Sequence, residues 1–168
     1  MRTRKLPTGK GIVGECEKFF YQVTECIQRF GTFLPGWKTP GVVVREVEIT
    51  QLEEHQIFLL RKIIKQKLCY NNAWCTLSRL PELKDGRYVL GYVLVCGVPI
   101  EHAWVKAEDK YYDPTEQVVF GSRDGLKYFS LVELDRETLF DLTIENHNIP
   151  PSFRDWYVLT REGRRKAQ

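Results

Sequence analysis

Three observations predict an α+β fold for this chain of 168 residues. Apolar residues in the first half recur at helical spacing, the second half reads as short extended runs, and Gly, Pro, Asn and Asp mark the boundaries between them. Helices followed by a mostly antiparallel sheet form an α+β domain, with the two kinds of element segregated. The length is most simply one domain, large enough to bury a core without disulfide staples. Residues 1–14 read as a flexible basic lead-in, 15–160 as the domain, and 161–168 as a basic tail.

Each element has its own signal. Cys16, Phe19, Phe20, Val23, Ile27 and Phe30 recur at helical spacing, and Gly31 suits the stop. A turn-rich link over 33–41 leads into the β-branched run 42–49, a predicted strand. Thr50-Gln51-Leu52-Glu53 is a capping-box signature and opens a second helix reaching about Lys67. The apolar residues 57–60, with Ile63 and Ile64, cover a wide arc of it, which predicts burial. Adjacent Asn71 and Asn72 favour a break or a cap over a helix interior. A third helix is therefore expected from near Leu68 to Leu80, stopped by Pro81, with Cys69 at its N-terminus. The alternative is one unbroken helix over 51–79 with Cys69 in its middle.

From Arg87 the pattern turns to sheet. Residues 88–96 are apolar on both parities, as in a central strand covered on both faces. Gly97-Val98-Pro99 turns the chain. Residues 100–107 and 110–113 then read as a hairpin around Glu108-Asp109, and 126–134 as a further strand. Asp135 can cap a helix of about ten residues with Thr138, Leu139 and Leu142 inward. Residues 156–159 read as an edge strand.

Composition excludes several function classes. Hydrophobic residues at 43% and charged residues at 28% are ordinary for a globular domain. No apolar stretch approaches the length of a bilayer span, and no apolar signal region follows the basic start Met1-Arg2-Thr3-Arg4-Lys5. Five cysteines, at 16, 26, 69, 75 and 96, form no CxxC pair. This argues against a zinc ribbon or a disulfide framework and for a reducing, cytoplasmic setting, and no cofactor is expected. The net charge of +3 comes from the ends, which are basic, whereas the body between them is acidic. Binding of nucleic acid would rest on those ends alone, so no nucleic-acid partner is expected.

The chemistry-bearing residues are Cys69, His102 and Asp113, in that chain order. A thiol is a useful nucleophile as thiolate, and its free pKa of about 8.5 is lowered by a helix N-terminus or a nearby imidazolium. The predicted hairpin puts His102 and Asp113 nearly opposite each other, with Cβ atoms about 5 Å apart. Asp113 can then fix one ring nitrogen while the other faces a thiol, the nucleophile–base–orienter logic of a triad. The backbone amide of Cys69 or Tyr70 is the natural oxyanion donor. The competing reading is a structural strand histidine, a packing cysteine and a routine Asp-Pro turn. Cys75 is a rival thiol at mid-helix, and Cys96 reads as core at the end of the central strand. His55 has no evident acid partner, and His147, between two asparagines, reads as loop.

Four runs sharpen this choice: Cys69-Tyr70-Asn71-Asn72-Ala73, Arg87-Tyr88-Val89-Leu90-Gly91-Tyr92, His102-Ala103-Trp104 and Asp113-Pro114-Thr115. In order and approximate spacing they resemble the C-x-x-x-A, R-x-V-x-G-Y, H-A-W and D-P-T runs of the transglutaminase-like branch of the papain-like cysteine enzymes, over residues 66–115. The resemblance implies a nucleophile-bearing helix packed on an antiparallel sheet, and a thioester intermediate without a metal. It implies Cys69 as nucleophile, His102 as general base and acid, and Asp113 as the residue orienting the histidine. Members include protein crosslinkers, deamidases, proteases and other amide hydrolases, so a protein or peptide substrate is expected, with a small amide as alternative. Tyr70 and Trp104, beside the nucleophile and the base, are the expected substrate contacts. Lys67-Leu68 stands where a glycine often precedes the nucleophile, and the gap from His102 to Asp113 is compact. Gln66 lies much nearer the cysteine than the upstream glutamine of papain-type enzymes. An inactive binding or inhibitory protein on the same fold is the alternative function.

Overall fold

The strand with the most apolar sequence occupies the middle of the sheet. In a computed structural model that describes Lys18 and residues 44–166, the side chains of 161–166 excepted, this strand is β2, Arg87–Val95. Its partners are β1 (Arg45–Val47), β3 (Val98–Ala107), β4 (Lys110–Tyr112) and β5 (Lys127–Leu134), in the order β1-β5-β2-β3-β4. All four strand pairings are antiparallel. The predicted apolarity on both parities has its cause here. Tyr88, Leu90 and Leu94 enter the large core under the helices, while Val89 and Val93 join a smaller cluster with Trp104 and Tyr128 on the opposite face.

Four α-helices accompany the sheet within residues 44–166: α1 (Glu54–Leu60), α2 (Cys69–Arg79), α3 (Arg136–Glu145) and α4 (Phe153–Lys166). The α2 helix lies on β3 and β2 through Ala73 and Leu77, both buried beside Ala103 and Val105. It begins at Cys69 and stops where Leu80 becomes extended before Pro81, so the broken-helix reading holds and the unbroken helix over 51–79 does not. Asp135 caps α3 by accepting from the Thr138 amide at 2.8 Å, as its position in the sequence predicts. Leu139 and Leu142 point inward; Thr138, expected inward, is exposed. Together these are an α+β arrangement of helices on an antiparallel sheet.

Four expectations are corrected. The second helix does not run from Thr50 to Lys67: its capping box is Glu53 with Gln56, and it ends at Leu60. Gln117 takes the backbone of the expected start, bonding Leu52 N and Thr50 O, and Asn72 takes both backbone groups of Lys65 near the expected end. Its wide apolar arc is only half used, with Leu60 and Ile64 buried but Phe58 and Leu59 exposed. Residues 156–159 are not an edge strand but the middle of α4, which opens on a Ser152–Asp155 capping box. That helix runs to Lys166, so most of the expected tail 161–168 continues it. The lead-in 1–14, the link 33–41 and, Lys18 apart, the helix expected over 16–30 lie outside the described residues. Among the described residues no helix is long and apolar enough to cross a membrane.

Candidate active site

Cys69 is the first residue of α2. The helix makes its first internal bond at Asn72, whose amide donates to Leu68 O at 2.8 Å. The amides of Cys69, Tyr70 and Asn71 therefore precede the helical ladder, and no side chain caps them at Leu68. Lys67, where the resembled family often has a glycine nearby, takes φ 66, a left-handed conformation that glycine adopts without strain. Asn72 explains how this turn is held. Its amide group brackets Lys65, accepting from Lys65 N at 3.1 Å and donating to Lys65 O at 2.7 Å. It also donates to Thr115 Oγ1 at 2.9 Å. One buried asparagine thus ties the approach to Cys69, the helix itself and the segment after Asp113.

His102 lies on β3, in the part that extends past the end of β4 and has β2 on one side only among the described residues. Its Nε2 is 2.8 Å from Asp113 Oδ2. The side chains are 13% and 1% exposed, so the pair sits almost wholly away from water. The contact is diagonal, not directly opposite as predicted. The register pairs Val105 with Tyr112 and so aligns Asp113 with Trp104 on the same face as His102.

The Asp113-Pro114-Thr115 run is more than a turn dipeptide. Asp113 Oδ1 accepts from Glu116 N at 3.0 Å and its carbonyl accepts from Gln117 N at 3.1 Å, so it caps the helical turn that continues into Glu116–Phe120. Proline directly after the cap suits the first helical position. The cap fixes Oδ1 and leaves Oδ2 for His102 and for the Tyr128 hydroxyl, which donates to it at 2.9 Å.

Electrostatics follow from these partners. Burial disfavours the Asp113 carboxylate, but the His102 charge and hydrogen bond, the Glu116 amide and the Tyr128 hydroxyl hold it below the usual carboxylate range. Burial also disfavours the imidazolium. The Asp113 charge and hydrogen bond, followed by the hydrogen bond and charge of Cys69, outweigh this and push His102 up to about 10. An ionised carboxylate only accepts, so Nε2 carries the proton toward Asp113, and Nδ1 is the nitrogen left for Cys69. The structure thus brings Cys69, His102 and Asp113 together.

Cys75 does not join them. It is half-buried within α2, and burial pushes its thiol up, with Arg79 opposing. Cys96 is exposed rather than core, in the tight turn with Gly97 between β2 and β3. His55 does have an acid partner, Glu82 at 3.3 Å, at the surface and away from the site.

The two expected substrate contacts part company. Trp104 is fully buried among Val89, Val93 and Tyr128, so it cannot touch a substrate. It supports the site from behind, its ring 6.1 Å from that of His102 and edge-on to Tyr128 at 5.5 Å. Tyr70 is half-buried beside Cys69, and its hydroxyl donates to Glu101 at 2.8 Å. Burial first, and this acidic partner second, push its pKa up. Asn72, Glu101 and Tyr128 were missed by sequence reasoning. Only Asn72 left a trace there, as half of an asparagine pair read as a break signal.

Two concavities lie away from the sulfur. A cleft of about 430 Å³ reaches the site through Tyr128, Glu116 and Gln117, which bond Asp113, and a groove of about 490 Å³ runs between Trp74 and Phe140. Among the described residues no group of three or more His, Cys, Asp or Glu side chains is placed to hold a metal ion. No protein-family model matches the chain, and no curated protein or solved structure matches it significantly.

Proposed function

We propose that this chain is a cysteine-dependent enzyme that acts on an amide-type bond through a thioester, on a papain- or transglutaminase-like fold. The observation that carries the reading is the buried His102–Asp113 pair at 2.8 Å, with the ring's other side toward a cysteine at an uncapped helix start. Cys69 Sγ attacks the carbonyl carbon while His102 holds the proton. The tetrahedral oxyanion is met by the free amides at the start of α2. Collapse breaks the C–N bond, and the amine leaves with the proton from His102. Water then adds to the thioester, giving its proton to the histidine, and the acid departs as the thiol is restored. Hydrolysis is favoured over transfer to an amine because water needs no second binding site.

Alkylation by iodoacetamide tests the reading without a known substrate. At neutral pH Cys69 is expected to react at least tenfold faster than Cys75, whose thiol burial holds protonated. The excess should vanish in His102→Ala. Equal rates at Cys69 and Cys96, located by peptide mapping of the intact chain, would sink the proposal.

A further inference from the structure

The charge of this chain is divided in a way that thioester chemistry alone does not require. Residues 55–81, which contain the approach to Cys69 and the helix that carries it, hold five basic side chains and no acidic one. The other positions of 44–160 hold nine basic and eighteen acidic side chains. The positive stretch of a negative body is therefore the stretch that delivers the candidate nucleophile.

Four of the five charges, Arg61, Lys62, Lys65 and Lys67, lie between the end of α1 and Cys69. All four are exposed, and none pairs with a carboxylate among the described residues. Their backbone is held in place: Ile64 is buried, Asn72 takes both backbone groups of Lys65, and Lys67 is fixed at φ 66. The acids nearest the site are already engaged. Glu101 accepts from Tyr70 and from the Phe153 amide, and Asp113 is buried against His102. An unneutralised basic segment on a fixed path beside a nucleophile raises the local concentration of anions and repels cations.

Resting on the thiol chemistry proposed above, we infer that the acyl donor is an acidic peptide segment whose carboxylates meet Arg61, Lys62, Lys65 and Lys67 as the reacting carbonyl reaches Cys69. A peptide fits better than a nucleic acid because β3 beyond β4 is an edge among the described residues, with Val98 and Ile100 41% and 46% exposed. Such an edge offers main-chain hydrogen bonds to an extended chain.

Three N-chloroacetyl peptides of equal length, carrying three Glu, three Gln or three Lys beside the reactive group, test this on the full chain. Alkylation forms the S–C bond as chloride departs with the bonding pair, and the thiol proton passes to His102. Rates at Cys69 are expected in the order Glu, Gln, Lys, with Glu roughly tenfold above Lys at about 20 mM salt. The spread should shrink at about 300 mM, where charges are screened over a few ångströms. Combining Arg61→Gln, Lys62→Gln, Lys65→Gln and Lys67→Asn, the last because asparagine tolerates the left-handed backbone at 67, should remove the spread by lowering the Glu-peptide rate to that of the Gln peptide. Equal, fast labelling by all three peptides overturns the inference and leaves the thiol chemistry standing. Labelling of Cys69 no faster than Cys96 overturns both. A Glu preference that survives the fourfold variant overturns the assignment to this segment. Protection of Cys69 by an oligonucleotide, but not by an unreactive Glu peptide, makes nucleic acid the occupant and overturns it as well.

Discussion

His102 answers to three neighbours whose effects can be separated. Burial lowers its pKa, Asp113 raises it by charge and hydrogen bond, and Cys69 adds a smaller rise. In an NMR titration the His102 ring carbon is expected to move only near pH 10. In Cys69→Ala the midpoint should fall yet stay above the ordinary 6.5, because Asp113 remains. In Asp113→Asn it should fall further than in Cys69→Ala, since burial is then opposed by the smaller effect of Cys69 alone. A midpoint near 6.5 in the unaltered protein would show that the ion pair does not form. The same shift links to folding with a definite sign. A raised folded-state pKa makes the pair's contribution fully present below about pH 6.5, and it is lost as pH rises through 10. The lowered Asp113 pKa gives the opposite limb, a contribution lost as pH falls below the ordinary carboxylate range.

At the scale of elements, Gly91 shows how a strand can depend on a missing side chain. It lies on β2 at a register shift against β5, and a Cβ there would overlap Phe129 O and approach Trp104 Cη2 to 2.5 Å. The indole that backs His102 therefore occupies the space a side chain would need. Gly91→Ala is expected to cost about 3 kcal/mol by overpacking, a fall in Tm of roughly 6–12 °C. It should also reduce Cys69 alkylation as Trp104 pushes on His102. An unchanged Tm in a thermal melt would show that the sheet yields freely there. The hairpin and α2 were legible in sequence because alternation, turn residues and a stop at Pro81 are local signals. The late start and early end of α1 were not, because side chains 65 and 7 residues away, Gln117 and Asn72, take the backbone of Leu52 before it and of Lys65 after it. The start of α4 was legible and overlooked: Ser152-Phe153-Arg154-Asp155 is a capping box, but the aromatic run Trp156-Tyr157 reads as strand by propensity.

Over the whole molecule, the spacing of Cys69 and His102 depends on how a helix is fastened to a sheet, and Glu101 is the fastening. It stands next to His102 on β3 with its side chain on the helix-covered face. Its Oε1 accepts from Tyr70 Oη, one residue past Cys69, at 2.8 Å and from Phe153 N, at the start of α4, at 2.7 Å. The carboxylate thereby joins the helix of Cys69, the strand of His102 and the last helix at one oxygen. No local pattern reveals such a link, because its members are 31 and 52 residues apart in the chain. The two bonds can be cut independently. Tyr70→Phe removes one donor and leaves the Phe153 amide satisfied, so it should cost about 1 kcal/mol. Glu101→Ala strands both donors and should cost about 2–3 kcal/mol. If the link sets the approach of Cys69 to His102, both variants should slow Cys69 alkylation several-fold at a temperature where each is fully folded. Hydrogen exchange at the Phe153 amide should quicken in Glu101→Ala alone. Unchanged alkylation in both would mean that Asn72 and the core under Ala73 and Leu77 hold the helix without Glu101, and that the bond serves α4 only.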